Sequence, residues 1–272
     1  MNLESFSGTI GFIGAGNMAE AMARGLLKAG VDPRKIVASD PDETRRKLFV
    51  ETLGVTAVAE NSQVAERAEV LVLAVKPQVV AAVMKALARN LEEKHLVISI
   101  VAGISASFLE SGAPIKLRVV RAMPNTPMLV GMGMVALAAG KHASGRDLEL
   151  AKAIFSAAAK VLIVDESKMN AVTAVSGSGP AYFFYFIEAL RDAGLKEGLE
   201  EEDALTLAVA TAEGAARLLA ESKKPPEELR RMVTSPNGTT HAAITTMESL
   251  HVKQNIIRGV RAAAARSKEL GK

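Results

Sequence analysis

A glycine-rich turn near the start of the chain constrains the fold more than any other feature. The apolar run Thr9–Ile13 reads as a strand, and Met18–Ala29 carries a helical pattern that stops at Gly30. Between them lies Gly14-Ala-Gly16-Asn-Met-Ala19. In a strand–turn–helix unit of this kind the first glycine permits the tight turn. The second lets the backbone approach a pyrophosphate, and the small third residue lets the helix pack close to the sheet. The first amides of the helix and the positive end of its dipole favour phosphate. A G-x-G-x-x-A stretch alone also fits a turn with no ligand. Here it has the correct element on each side, which predicts a dinucleotide-binding unit of the Rossmann type.

The runs that follow extend that unit into a sheet. Ile36–Ser39, Val70–Val75, Leu96–Ile100 and Lys116–Met123 are short, rich in Val and Ile, and bounded by Gly, Pro or charge. The run Val70-Leu-Val-Leu-Ala-Val75 shows no polar alternation, as expected of a parallel strand covered on both faces. Glu43–Leu53 and Gln78–Ala88 read as intervening helices, with Gly30 and Gly54 as helix ends. Met134–Ala139 and Val161–Val164, separated by a helix over Arg146–Ala158, complete the sheet. The expected fold class is α/β: an N-terminal, doubly wound, mostly parallel sheet followed by an all-α C-terminal domain.

After Asp165 the strand signal stops. Lys168–Val175, Ala181–Asp192, Glu201–Ser222, Glu227–Met232, Thr240–Ser249 and Val252–Leu270 read as helices. This divides the chain into expected domains 1–165 and 166–272. Leu205, Ala208, Val209, Ala212, Ala215, Ala216 and Leu219 share one apolar helix face. Several of these helices are apolar around most of their circumference. A partner surface, most simply another copy of the chain, is therefore expected to cover them.

Composition removes several classes of function. Lys+Arg 33 against Asp+Glu 30 leaves a net charge of only +3, with no dense basic stripe, so no nucleic-acid partner is expected. The chain has no cysteine, which excludes disulfides, a thiolate nucleophile and Cys-ligated metals. The four histidines lack metal-ligand spacing, so no metal is expected. No apolar run reaches the ~18 residues of a membrane span. The first ten residues, MNLESFSGTI, carry no basic region and no long apolar stretch, so no leader is expected. The expected location is the cytoplasm.

Several further positions are candidates for chemistry, each with a bland alternative. Asp40 ends the second strand about twenty residues past Ala19, where an acid would bind the ribose 2′-hydroxyl of NAD. Ser39, Arg45 and Arg46 beside it favour a 2′-phosphate instead, and the residues leave NAD against NADP open. Lys76-Pro77 follows the most buried strand, at the edge where ligands sit, although a surface lysine also fits. Pro124-Asn125-Thr126-Pro127 holds two polar side chains between rigid prolines. Ser176-Gly-Ser178-Gly-Pro180 reads equally as a helix–turn–helix corner. Thr234-Ser235-Pro-Asn237-Gly238-Thr239-Thr240-His241 clusters hydroxyls and an amide at a helix start. Thr240 is either the helix cap or a ligand to substrate; His241 is a candidate general acid, although no carboxylate is spaced to fix its ring.

Taken together, these stretches resemble the pyrroline-5-carboxylate reductase family from about Ile10 to about Leu270. The most specific are Gly11-Phe-Ile-Gly-Ala-Gly-Asn-Met-Ala19, Ala74-Val-Lys-Pro77, Val172 through Tyr182, and Pro226 through Thr240 with its Val-Thr-Ser-Pro-Asn-Gly-Thr-Thr ending. Asn237 stands where the family also has glycine. The resemblance implies reduction of the cyclic imine 1-pyrroline-5-carboxylate to L-proline, the last step of proline biosynthesis. It implies NADPH as cofactor, with NADH possible; Asp40 departs from the pattern and keeps that preference open. It implies a homo-oligomer, a dimer at least, with a larger decameric ring of dimers in the family.

Carried over by position, the resemblance places Ile13, Gly14, Ala15, Gly16, Asn17 and Met18 around the pyrophosphate. Ser39 falls at the adenosine ribose and Asn61 at the adenine end. Val75, Lys76, Pro77, Ile100 and Ala102 line the way to the nicotinamide. Ser235, Asn237, Gly238, Thr239 and Thr240 hold the substrate, with Thr240 at the ring nitrogen as the catalytic position. The lack of an acid–base pair suits this chemistry, because a protonated imine accepts hydride directly and the protein mainly orients two reactants. Two other readings stand beside this one. A β-hydroxyacid dehydrogenase or imine reductase shares the domain order, but the helix after Ser176-Gly-Ser-Gly179 shows no buried lysine. A non-catalytic nucleotide-binding protein would not need the intact 235–240 loop.

Overall fold

A computed structural model describes residues 6–271. The first five residues, part of the stretch read above for a leader, and Lys272 lie outside the described residues. By contact density the chain falls into two units. One comprises the residues up to Ser178 together with those from Ala263 onward, and the other spans Gly179–Ala262.

The first unit is built on one eight-stranded sheet, ordered β3-β2-β1-β4-β5-β6-β7-β8. The strands are β1 Ile10–Ile13, β2 Ile36–Ser39, β3 Thr56–Val58, β4 Val70–Leu73, β5 Leu96–Ser99, β6 Arg118–Pro124, β7 Gly133–Ala139 and β8 Ala159–Ile163. All neighbours pair in parallel except β6 and β7, which are antiparallel. The order reverses between β1 and β4, the point at which doubly wound sheets bind ligands. The expected mostly parallel sheet and the expected helical region after it are both present.

Burial explains the unbroken apolar runs. β1, β2, β4 and β5 are buried at every residue. In β4, Val70 and Val72 join the core on one face, while Leu71 and Leu73 join the core on the other. The helices α1 (Asn17–Lys28), α2 (Glu43–Leu53) and α6 (Gly145–Ser156) contribute Met22, Leu26, Phe49, Ile154 and Phe155 to the first core. The helices α3 (Asn61–Arg67), α4 (Val80–Leu87) and α5 (Ala106–Ser111) contribute Val64, Met84, Leu87 and Leu109 to the second. Burying a Leu, Val or Phe side chain contributes about 1.5–3 kcal/mol, so this double covering supplies the sheet's main stabilisation.

Four differences from the expected elements have local causes. β3 was not anticipated because it is only three residues long, at the sheet edge, and partly exposed. Seven-residue α3 and six-residue α5 are too short to display helical periodicity. β8 begins two residues before the expected Val161. The helix expected over Lys168–Val175 is three pieces: a 3-10 turn at Glu166–Lys168, α7 at Met169–Val172, and a π-helical turn at Thr173–Gly177.

One histidine is structural. His95 is fully buried; its Nδ1 accepts from the Glu92 amide at 2.8 Å, and its Nε2 lies 3.0 Å from the Ala65 carbonyl.

The second unit is helical: α8 (Gly179–Lys196), α9 (Glu201–Ser222), α10 (Pro226–Met232), α11 (Thr239–Ser249) and the first part of α12 (Val252–Leu270). Large apolar side chains lie on its surface. Phe183 is 66%, Phe184 59% and Tyr185 75% exposed on α8, and Leu207 and Leu218 are 55% exposed on α9. A lone chain gains nothing by showing water such a surface, which marks it for a partner. Among the described residues no helix is long and apolar enough to cross a membrane.

The closest packing between β1 and α3 rests on Gly11. A Cβ there would meet the Val64 side chain and sit 2.8 Å from the Cβ of Ala68. Gly11→Ala is expected to lower unfolding free energy by about 1–3 kcal/mol through overpacking. A urea titration checks this, and an unchanged midpoint would show that the helix yields.

Candidate active site

In the first unit the glycine turn is held from several sides. The Gly14 amide donates to the Ser39 carbonyl at 2.8 Å, and the Ala74 amide donates to the Ile13 carbonyl at 2.8 Å. The Ala15 amide donates to Asp40 Oδ2 at 2.8 Å. The Ala15 carbonyl accepts from Arg45 Nε at 2.7 Å, and Arg45 also pairs with Glu20 at 2.9 Å. Burial pushes the Glu20 carboxyl up. Hydrogen bonds from Arg24 and Arg45 outweigh that and hold it below its ordinary value. With the folded value lowered, this anchor is present above the usual carboxylate range and is lost as pH falls through the lowered value.

The two glycines of the turn are required for different reasons. Gly14 has φ +99°, and a Cβ there would lie 2.6 Å from the Ala74 carbonyl oxygen. It is a glycine for the sake of the fold. Gly16 has φ −69° and ψ 179°, extended backbone open to any residue, and a Cβ there would touch nothing within 4 Å. Neither strain nor packing explains a glycine at Gly16, so the open space is what calls for it. Gly16 is also the N-cap of α1 and offers no side-chain cap, which leaves the first-turn amides pointing outward. Ile13, Gly14 and Ala15 are buried, Gly16 and Met18 half-buried, and Asn17 exposed.

The residues beside the turn are committed in ways the sequence did not reveal. Ser39 is fully buried; its hydroxyl donates to Asn61 Oδ1 at 2.7 Å and lies 3.3 Å from the Phe12 carbonyl. Asp40 Oδ1 accepts from the Asp42 amide at 2.9 Å. Arg46 donates to the carbonyls of Asp40 and Pro41, each at 2.8 Å. Asp40, Arg45 and Arg46 therefore brace the turn and its flank. Val75, Lys76 and Pro77 follow β4, the neighbour of β1, and Ile100 and Ala102 follow β5, one strand further, all at the carboxyl edge. Lys76 is exposed and precedes a 3-10 turn that opens on Pro77.

In the second unit the other cluster surrounds the start of α11. Gly238 is the N-cap, not Thr240, and the structure shows no side-chain cap there. The alternative of Thr240 as the helix cap is therefore corrected: Thr240 lies one residue inside the helix. The Gly238 amide donates to the Ser235 carbonyl at 3.0 Å, closing a turn. The first intrahelical bond runs from the Ala242 amide to the Gly238 carbonyl, leaving the amides of Thr239, Thr240 and His241 clear of the helix ladder. Asn237 has φ +60°, a conformation that asparagine and glycine tolerate best, which explains why either suits this position. Thr234 is not part of the open set, because its hydroxyl donates to the Arg230 carbonyl at 2.6 Å. His241 is exposed. No group of three or more His, Asp or Glu among the described residues is arranged to hold a metal.

Each cluster thus presents free backbone amides at the positive end of a helix, and the second adds hydroxyls, an arrangement that suits an anion. The glycine turn also fits a dinucleotide: its one unexplained glycine is the one at which a bound pyrophosphate needs the space.

Comparison with known proteins agrees with this geometry. The sequence model described as pyrroline-5-carboxylate reductase dimerisation matches residues 166–270. One described as NADP oxidoreductase, coenzyme F420-dependent, matches residues 9–103, from β1 through β5. The pyrroline-5-carboxylate reductase of Synechocystis is 45% identical over 264 residues, covering 97% of this chain and 98% of that protein. That of Corynebacterium melassecola is 42% identical over 267 residues, covering 97% and 99%. The solved structure of a pyrroline-5-carboxylate reductase from Coxiella burnetii is 39% identical, with a TM-score of 0.91 over 98% of this chain and 100% of that one. The Plasmodium falciparum pyrroline carboxylate reductase, solved with NADP bound, is 30% identical, with a TM-score of 0.88 over 98% and 99%. With relatives this similar over nearly the whole of both chains, the chain belongs to the pyrroline-5-carboxylate reductase family.

Proposed function

We propose that the chain reduces 1-pyrroline-5-carboxylate to L-proline using NADPH, with NADH as an alternative donor. The observation that carries this reading is Gly16, a glycine that neither the backbone nor the packing requires, in a chain of this family. When bound, the reduced nicotinamide supplies the hydride. The substrate's ring nitrogen, once protonated, makes the C=N carbon electrophilic enough to accept it. The chain has only to bind, orient and exclude water.

Ile13, Gly14, Ala15, Gly16, Asn17 and Met18 cradle the pyrophosphate with the open amides of α1. Ser39 serves the adenosine end through its bond to Asn61, since its own hydroxyl is buried. Val75, Lys76, Pro77, Ile100 and Ala102 line the nicotinamide half. The free amides at Thr239 and Thr240 and the groups of Ser235, Asn237 and Gly238 hold the substrate carboxylate. The Thr240 hydroxyl hydrogen-bonds the ring nitrogen and selects the face presented to hydride. Residues 1–165 form the cofactor domain and 166–272 the dimerisation and substrate domain. The chain works as a homodimer, with a decameric ring of dimers as the larger assembly, in the cytoplasm.

The direct test follows nicotinamide absorbance with 1-pyrroline-5-carboxylate and identifies the product. NADPH oxidation matched by proline is expected; protein that binds NADPH but oxidises neither cofactor would overturn the reading. Gly16→Val is expected to melt within a few degrees of the parent, because a Cβ there has no protein atom within 4 Å, yet to weaken cofactor binding more than about tenfold. Calorimetric titration with NADP+ reads this, and retained affinity would remove the turn from the cofactor site. Thr240→Ala is expected to lower kcat by about 100-fold while leaving the cofactor Kd unchanged. Equal turnover in that variant would free Thr240 of its role.

A further inference from the structure

The carboxyl edge of the sheet carries a second polar element that the proposed site does not use. In the register of β5 and β6, Ser99 pairs with Arg121, and β6 then runs on to Pro124. β6 therefore overhangs the edge and delivers Asn125 above the end of β5. The Asn125 Oδ1 accepts from the Met134 amide on β7 at 2.9 Å, which fixes the amide's orientation. Its Nδ2 then faces Ser176 and donates to the Ser176 hydroxyl oxygen at 3.4 Å.

Ser176 is held in place from the other side as well. It lies in the π-helical turn Thr173–Gly177, where the Ser178 amide reaches back to the Thr173 carbonyl at 2.8 Å. A wide turn of this kind inserts one residue into a helix and re-aims its side chains, and such turns recur at functional sites. Gly177 sits against the Met123 side chain, whose terminal methyl would have to move to admit a Cβ there. The oxygen of Ser176 is thus an acceptor for Asn125. Among the described residues nothing accepts a bond from its hydroxyl hydrogen. Ser176 is only half-buried, so the hydroxyl is oriented and available.

The direction of the ligand follows from the sheet order. The acid position at the end of β2 marks the adenosine half of a dinucleotide site, and the order reverses between β1 and β4. The other mononucleotide, which carries the nicotinamide, then lies over β4, β5 and β6. A half-exposed O–H held beside β6 can exchange water for a ligand acceptor there. We infer that the Ser176 hydroxyl, oriented by Asn125, donates a hydrogen bond to the carboxamide oxygen of the nicotinamide and fixes the rotation of that group. Ser176 is then a cofactor-binding residue and Asn125 a positioning residue. The inference rests on the nicotinamide reading above.

Three oxidised cofactors separate this from a structural role: NADP+, its 3-acetylpyridine analogue, which keeps the oxygen but lacks the amide hydrogens, and its thionicotinamide analogue, whose sulfur is a weak acceptor. Dissociation constants are measured by calorimetry on the intact protein without substrate. Ser176→Ala is expected to weaken NADP+ and the acetylpyridine analogue about fivefold, the worth of one neutral hydrogen bond, and to leave the thionicotinamide analogue unchanged. Ser176→Thr, which keeps the hydroxyl, restores the discrimination. Asn125→Ala, which leaves the hydroxyl unanchored, shows the same pattern at smaller amplitude and serves if Ser176→Ala does not fold. Equal weakening of all three cofactors, or no weakening of any, overturns the inference. Parent protein that binds none of them overturns the cofactor reading itself.

Discussion

The glycine turn at the end of β1 is the constraint on which the rest of the first unit depends. β1 is hydrogen-bonded to β2 on one side and to β4 on the other, so its last residue can move toward neither. The chain must leave the sheet within one residue, and Gly14 does so with a positive φ that brings it against the Ala74 backbone. Asp40 and Arg45 then grip Ala15 by its amide and its carbonyl. The two peptide units that flank the Ala15 Cα are thus held by opposite charges, one just past β2 and one on α2, and the start of α1 is aimed by that grip. The open helix start is in this sense a by-product of how a central strand is forced to end.

The same logic of free helix ends appears in the helical unit in a different form. At α1 a glycine removes the cap so that amides stay open, and at α11 Gly238 does the same. Hydroxyl-bearing residues are the usual caps, yet Ser235, Thr239 and Thr240 surround this helix start without capping it. Their hydroxyls remain available to a ligand because the position that would consume one of them has no side chain.

Much of this was legible in the sequence, and the limits have physical causes. The parallel strands were visible because both faces are buried, as the unbroken Val70–Leu73 run shows. The short edge strand Thr56–Val58 was not, because three half-exposed residues carry no period. The π-helical turn is written in the same residues as an ordinary helix, and only the wide hydrogen bond from the Ser178 amide to the Thr173 carbonyl reveals it. The motifs marked the glycine turn and the start of α11 as candidates, but the partnership of Asp40 with Ala15 joins residues far apart in the chain and leaves no spacing signature. Sequence alone left Asp40, Arg45 and Arg46 poised between two cofactors; the structure shows each of them holding the backbone of the turn or its flank.

The apolar surface of the helical unit has a consequence for how the protein persists at low abundance. Phe183, Phe184 and Tyr185 gain shelter from water only in the associated state of a dimerisation domain. Stability is then partly second order in chain concentration, and the melting temperature climbs as the solution is concentrated. Dilution acts on such a molecule as a mild denaturant. The cell's rate of synthesis thereby sets the durability of each copy as well as the number of copies.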